Sequence, residues 1–228
     1  MPGEERAAKV VDLFAAVAPR YDLINDLQSL GLHRWWKHRL VQLAEVRAGD
    51  VVMDVCCGTG DVAFALAARG AEVTGLDFSA PMLQVARHRN RVGRVRFVEG
   101  DALRLPCADA SVDVVTVAFG LRNVADVDRA LAEWMRVLRP GGRLLVLEFG
   151  RPSNPAWDAL YLAYLRWFVP LFGSVFLGDA DTHGYILESL LRYPGQRGVD
   201  ERLRALGFAA TEVVEFVGGA MSINRARR

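Results

Sequence analysis

The sequence predicts an α/β fold: a mostly parallel, doubly wound sheet of seven strands that closes on an antiparallel hairpin. Three observations carry that expectation. Short apolar runs alternate with helical stretches from Val51 to Phe149. A glycine-bearing loop, Cys56-Cys57-Gly58-Thr59-Gly60, leaves the end of the first run, where open α/β sheets bind their ligands. Two strand-like segments then flank Gly218-Gly219 near the C-terminus.

The elements follow in order. Val10, Leu13, Phe14 and Val17 recur at helix spacing before Ala18-Pro19 breaks the pattern. A second helix is expected over His33–Glu45, and Gly49-Asp50 turns the chain into the strand Val51–Val55. A helix over Asp61–Arg69, a strand over 71–77 and a helix over Pro81–His88 come next. Strands over 94–101 and 111–119 precede a helix over Asp126–Leu138, and Arg139-Pro140-Gly141-Gly142 reads as a turn into a strand over 142–149. After an insertion, 155–193, a short helix over 199–208 leads to the hairpin strands 210–217 and 219–227.

At 228 residues and 52% apolar the chain is expected to form one domain, 1–228, with a large core. Its parts are a helical cap (1–48), a ligand-binding core (49–150), the insertion (155–193) and a C-terminal helix and hairpin (198–228). A net charge of +1 gives no electrostatic case for nucleic acid. Cys56, Cys57 and Cys107 form no CxxC pair, which argues for reduced thiols and against a disulfide framework, a zinc ribbon or another metal site. The N-terminal segment lacks the apolar stretch of a signal peptide. One segment, Trp157–Leu177, matches a membrane span in length and holds seven of the 21 aromatics. It also carries Asp158 and Arg166 and is interrupted by Pro170 and Gly173, so it reads as a buried or interface-seeking helical element.

The loop indicates what is bound. Its backbone can approach a ligand where side chains are absent, at Gly58 and Gly60. Asp77 ends the next strand, 17 residues after Gly60, where a carboxylate can accept from both ribose hydroxyls of an adenosine. The bare pattern Gly58-x-Gly60-x-x-Ala63 also fits a dinucleotide fingerprint, and a tight turn without ligand is the plain alternative. Three features favour a different nucleotide. Asp54 suits an ammonium and would sit badly beside a pyrophosphate. Glu99 to Ala102 follow the third strand, where an acid can hold the adenine amino group. The terminal hairpin replaces a second mononucleotide-binding half. Adenosine, a cationic centre, an ammonium and no phosphate describe S-adenosylmethionine.

The motifs DVCCGTGD, GLDFS, GDA, FGLRNV and RVLRPGG resemble those of the class I, Rossmann-like methyltransferases. With YDLINDLQSLGLHRWWK, the chain resembles the ubiquinone/menaquinone biosynthesis C-methyltransferase family over about residues 11–226. The resemblance implies cofactor contacts at Thr59, Asp77, Asp101 and Ala102 beside Gly58 and Gly60. Ala118 stands where the family often has a serine contact; the segment 183–189, Gly195-Gln196 and Asn224-Arg225 also depart from its pattern. It further implies a lipophilic polyprenylated quinol as substrate, demethylmenaquinol becoming menaquinol, in the cytoplasm at the inner membrane face. A ubiquinone precursor, another small lipophilic acceptor, and cofactor binding without catalysis are the alternatives; a homo-oligomer and peripheral membrane contact stay open.

Carbon methylation requires an electron-rich ring, removal of a phenolic proton and in-line placement of the methyl. The candidates to serve the quinol are Arg122, Tyr21 and His33, with Asp26, His183 and Asn123 as further proton handlers. Arg122 can stabilise a phenolate or form an ordinary surface ion pair; Tyr21 and Asp26 also suit helix capping. Trp157, Tyr161, Tyr164, Trp167 and Phe168 fall on roughly one helical face, either as core or as the wall of a tunnel for an isoprenoid tail.

Overall fold

The computed structural model describes residues 25, 26, 29, 31–171 and 181–228, with only the backbone for 181–185. The expected first helix, Tyr21, Phe172 and the side chain of His183 lie outside the described residues.

Seven strands form one sheet in the order β3-β2-β1-β4-β5-β7-β6. They are β1 (Val51–Val55), β2 (Glu72–Asp77), β3 (Val95–Glu99), β4 (Val112–Ala118), β5 (Leu138–Phe149), β6 (Ala210–Phe216) and β7 (Met221–Arg227). The first five are parallel; β7 inserts antiparallel between β5 and β6. The helices are α1 (Leu32–Leu43), α2 (Asp61–Ala67), α3 (Ala80–Arg89), α4 (Val127–Val137), α5 (Pro155–Ala163), α6 (Asp181–Arg192) and α7 (Gly195–Ala205).

Both faces of the central strands are covered, which is why they read as unbroken apolar runs. Side chains alternate across the sheet with a period of two. Val114, Leu145 and Leu147 pack with Trp36 and Leu40 of α1 and Leu66 of α2. Val115, Leu144 and Val146 pack on the other face with Leu131 and Trp134 of α4 and Leu203 of α7. Asp126 caps α4 by accepting the Arg129 N–H at 3.0 Å, and Asn154 caps α5 through the Ala156 and Trp157 N–H groups.

Three elements differ from the sequence expectation. Arg139 to Gly142 lie within β5, where the register jumps from Val112–Leu138 to Val114–Arg143; Gly141, at φ +80°, permits the kink. Helix α7 starts at Gly195, ahead of the expected Val199, because its first turn is tied down by the buried side chain of Gln196. Gln196 accepts the Arg151 N–H at 2.8 Å and donates to the Arg151 carbonyl at 2.9 Å. Beyond α5, residues Tyr164–Phe168 form a π-helical turn, closed by the Val169 N–H on the Tyr164 carbonyl.

Strand succession reverses between β1 and β4, so the crevice at their carboxyl ends is the topological switch point.

Candidate active site at the switch point

The loop after β1 turns tightly. Cys56 (φ +55°), Gly58 (φ +54°) and Gly60 (φ +89°) all take left-handed backbone conformations. A side chain at Gly58 would meet nothing within 4 Å, so this glycine leaves open the space a ligand uses. At Gly60 a Cβ would come within 2.9 Å of Phe64 and Phe97, so this residue is glycine because of packing rather than ligand approach. Phe119, at the end of β4, also has a positive φ of +60°. Two strained non-glycine residues thus flank the crevice, each costing about 1–3 kcal/mol.

Asp77 organises the loop. Its carboxylate accepts the Gly58 N–H at 2.8 Å and the Ser79 N–H at 2.9 Å. Burial pushes its pKa up against these amides. A carboxylate offers about four lone-pair positions, so acceptor capacity remains for a ligand. Asp77, Phe78, Met82 and Asn123 line one side of the crevice, and Lys37, Asp54, Thr59 and Asp61 the other. Cys56, Gly58, Ala118 and Phe119 border both sides. Burial pushes the Cys56 and Cys57 thiols well up, so they pack as neutral groups. Thr59 is buried beside Asp54. Asp101 is exposed and accepts the Leu103 N–H, while the buried Ala102 gives its carbonyl to Trp134; neither borders the crevice.

Arg122 is not a surface residue. Its Nη1 donates to Glu148 Oε1 at 2.6 Å and to the Phe119 carbonyl at 2.9 Å, and Nε donates to Ser189 Oγ at 3.2 Å. The guanidinium lies 4.8 Å from the Phe149 ring centre, and Glu148 is fully buried. His33 is also buried: Nε2 sits 2.8 Å from Asp26 Oδ1, and Nδ1 has no partner among the described residues. Hydrogen bonds from Arg34 and His33 hold Asp26 well below the usual carboxylate range, so Nε2 carries the His33 proton. Burial lowers the His33 pKa, against the pull of Asp26, and keeps the imidazole neutral near pH 7.

A second cavity, of about 660 Å³, lies beside the crevice. Its wall includes Trp36, Phe149, Trp157, Tyr161, Tyr164 and Phe168. Trp167 is absent from that wall. It lies 72% exposed on the opposite flank of the helix with Leu187 and Leu191, because neighbouring residues such as Trp167 and Phe168 stand about 100° apart around a helix. The two spaces meet at an aromatic pair: Phe119 borders the crevice, Phe149 borders the cavity, and their rings are 5.6 Å apart.

Sequence reasoning missed Lys37, Glu148 and Phe119. Lys37 had a signal: the chain has 28 Lys and Arg residues, and Lys9 and Lys37 are its only lysines. Glu148, the last polar residue of an apolar strand, had none.

Comparison with known proteins agrees with this architecture. The ubiE/COQ5 methyltransferase family model matches residues 3–228. The ubiquinone/menaquinone biosynthesis C-methyltransferase UbiE of Azotobacter vinelandii is 41% identical over 232 residues, 99% of this chain and 92% of its own. The protein of the same name from Francisella tularensis is 38% identical over 98% of this chain and 92% of its own. Among solved structures, the methyltransferase complexed with the Trm112 activator of Haloferax volcanii superposes with a TM-score of 0.71 at 20% identity, over 94% of this chain and 96% of its own. A SAM-dependent methyltransferase of Aquifex aeolicus gives 0.61 at 18%, over 84% and 88%. The residues at the switch point fit S-adenosylmethionine: Asp77 with spare acceptor capacity, an open approach at Gly58, and a buried Asp54 oxygen that accepts no hydrogen bond. The chain belongs to the ubiE/COQ5 methyltransferase family and is an S-adenosylmethionine-dependent methyltransferase of Rossmann-like fold.

Proposed function

We propose that the chain methylates a ring carbon of a polyprenylated quinol, with demethylmenaquinol as the acceptor. The apolar cavity carries this reading: it is aromatic-walled, large enough for a ring and the first part of a tail, and meets the cofactor crevice at Phe119 and Phe149. The relatives' names, which include quinone biosynthesis, support it. The insertion 155–193 is then the acceptor-binding part of one domain.

S-adenosylmethionine supplies an electrophilic methyl when bound. The chain's own residues bind, orient and exclude water. Asp77 and the Gly58 backbone hold the adenosine side, with Thr59 as a further proposed contact; Asp101 and Ala102, which the family resemblance implies, stand outside the crevice lining and would reach the adenine only from its edge. Trp36, Tyr161 and Phe149 shield the ring from water and fix its plane. Arg122, its charge balanced by the buried Glu148, anchors the turn after β4 on which Phe119 stands, and its proposed service to the quinol is to hold that turn and the Phe119–Phe149 pair in place. His33, neutral and with a lone pair on Nδ1, and Tyr21 are the proposed proton handlers. Positioning of this kind supplies up to ~7–11 kcal/mol in favourable cases.

The test is methyl-labelled cofactor with a short-tail demethylmenaquinol and, separately, a demethylated benzoquinol precursor of ubiquinone. Label in the naphthoquinol is expected. Label only in the benzoquinol moves the chain to the ubiquinone branch, and cofactor binding without transfer removes the catalytic reading. Exposed Trp167 and Leu171 support a cytoplasmic enzyme touching the membrane surface. Unchanged vesicle co-sedimentation of a folded Trp167→Glu variant would count against that contact. Among the described residues no helix is long and apolar enough to cross a membrane.

A further inference from the structure

The wall of the apolar cavity carries few polar side chains, and most of their hydrogens are already engaged. Ser29 Oγ donates to the Asn25 carbonyl at 2.6 Å, and Trp157 Nε1 donates to the Val217 carbonyl at 2.9 Å. The buried Tyr161 hydroxyl donates to the Ala220 carbonyl at 3.2 Å. That carbonyl also accepts the Gly150 N–H at 3.0 Å, so both of its lone pairs are in use. Tyr161 and Ala220 both border the cavity. Trp157 and Tyr161 stand one turn apart on α5 and bind the two ends of the same turn, Val217 to Ala220, which fixes the phenol in place.

A phenol that donates elsewhere keeps only its oxygen lone pairs for a ligand. Burial pushes the Tyr161 pKa up, so the group stays neutral and holds its own hydrogen. Toward the cavity it is an acceptor. The two oxidation states of the proposed substrate ring differ in this one respect. A quinol oxygen carries a hydrogen and can donate it, whereas a quinone carbonyl can only accept. A quinone at this place would set its lone pairs against the phenol oxygen or draw the phenol hydrogen away from Ala220. An indole N–H such as that of Trp36 serves both forms alike, since hydroxyl and carbonyl each accept.

We propose that Tyr161 is a specificity-determining residue that selects the reduced ring over the oxidised one by accepting a hydrogen bond from a ring hydroxyl. The inference rests on the quinol reading and deepens it. Carbon methylation needs the electron-rich reduced ring, so a site that held the quinone equally well would be occupied by a ring that cannot react. A site built to pair with a substrate hydroxyl discriminates against the analogue that lacks it.

The experiment is anaerobic calorimetric titration of the full chain, loaded with S-adenosylhomocysteine, with a one-isoprene menaquinone and separately with its quinol. Both rings already carry the methyl, so neither form turns over. The wild type is expected to bind the quinol about ten-fold more tightly than the quinone, the size of one buried polar group paired rather than unpaired. Tyr161→Phe keeps the ring and should bring the two affinities within about two-fold, chiefly through weaker binding of the quinol. Unchanged affinity for S-adenosylhomocysteine shows that the variant is folded. Equal affinity of the wild type for both forms, or a preference that survives in Tyr161→Phe, would overturn the assignment and leave the quinol reading standing. Binding of neither form would remove the quinol reading and this assignment together.

Discussion

The two spaces that meet at Phe119 and Phe149 are built on opposite principles. The crevice is narrow, strained and charged: left-handed Cys56 and Phe119, a carboxylate fixed by two amides, and the Lys37–Asp61–Arg89 cluster. The cavity beside it is wide, walled by rings on a helix with a π turn, and open to solvent around Leu160 and Phe168, which are 60% and 53% exposed. One space recognises fixed polar atoms; the other accepts length and grease. Small errors in geometry should therefore be severe in the first and graded in the second.

The largest effect is expected at Asp77. Asp77→Ala removes two bonds from loop amides and the proposed ribose acceptor. Charge-assisted bonds contribute about 1.5–3 kcal/mol each, so cofactor affinity should fall by about two orders of magnitude or more. Calorimetric titration with S-adenosylhomocysteine measures it. Tyr161→Phe, on the cavity wall, should leave that affinity unchanged; equal losses in the two variants would erase the contrast between the spaces.

Next in size is the buried pair behind the aromatic junction. Arg122→Ala leaves Glu148 charged and unpartnered by the guanidinium at 0% exposure, a loss of about 3–5 kcal/mol. Thermal unfolding should move down by about 6–20 °C for a chain of this size. Arg122→Met combined with Glu148→Leu should recover much of that loss. If the recovered double variant binds cofactor but transfers no methyl, the guanidinium serves the acceptor as well as the fold. If it transfers methyl normally, Arg122 acts through structure alone.

These residues also mark what a sequence reveals. Strands and helices of the core were legible because two-sided burial writes continuous apolar runs and helical stripes, and the Gly58 loop and Asp77 because a backbone approach dictates residue type. Glu148 was hidden, since its partner is 26 positions away and only the β4–β5 pairing brings the two together. Gln196 and Asn224 were visible only through a family pattern, Gln196 as the matching half of a pair that departs at Gly195 and Asn224 as a departure itself. The structure ties them to each other, Asn224 Nδ2 donating to the Gln196 carbonyl at 2.8 Å. The aromatic stripe was read as one face although Trp167 and Phe168 are adjacent and stand about 100° apart around a helix, so Trp167 was put on the wrong face.

A moderate effect is expected at the rim of the cavity. Leu160→Glu puts a charge where an isoprenoid tail would leave. Losing about 1.5 kcal/mol of apolar contact raises KM for a long-tailed quinol about ten-fold. KM for a tailless analogue, kcat and cofactor affinity should not move. A shift in the tailless KM as well would place the ring, rather than the tail, at Leu160.

The smallest effect is a pH dependence that belongs to the crevice alone. Burial is the main cause that raises Asp54 from 3.8 to about 7, against the Thr116 hydroxyl and the charge of Lys37. A carboxyl whose folded-state pKa is raised binds more protons folded than unfolded between those values, so it makes the free protein less stable as pH rises from about 4 to 7. Binding of an ammonium prefers the anion, so S-adenosylhomocysteine affinity should rise with pH through the same group. For a group titrating near 7 the gain is about three-fold between pH 6.5 and 7.5. Asp54→Asn should flatten this slope while lowering affinity throughout. A slope that survives in the asparagine variant would assign the titration to another group, and a wild-type profile without slope would mean that Asp54 is already ionised before the cofactor arrives.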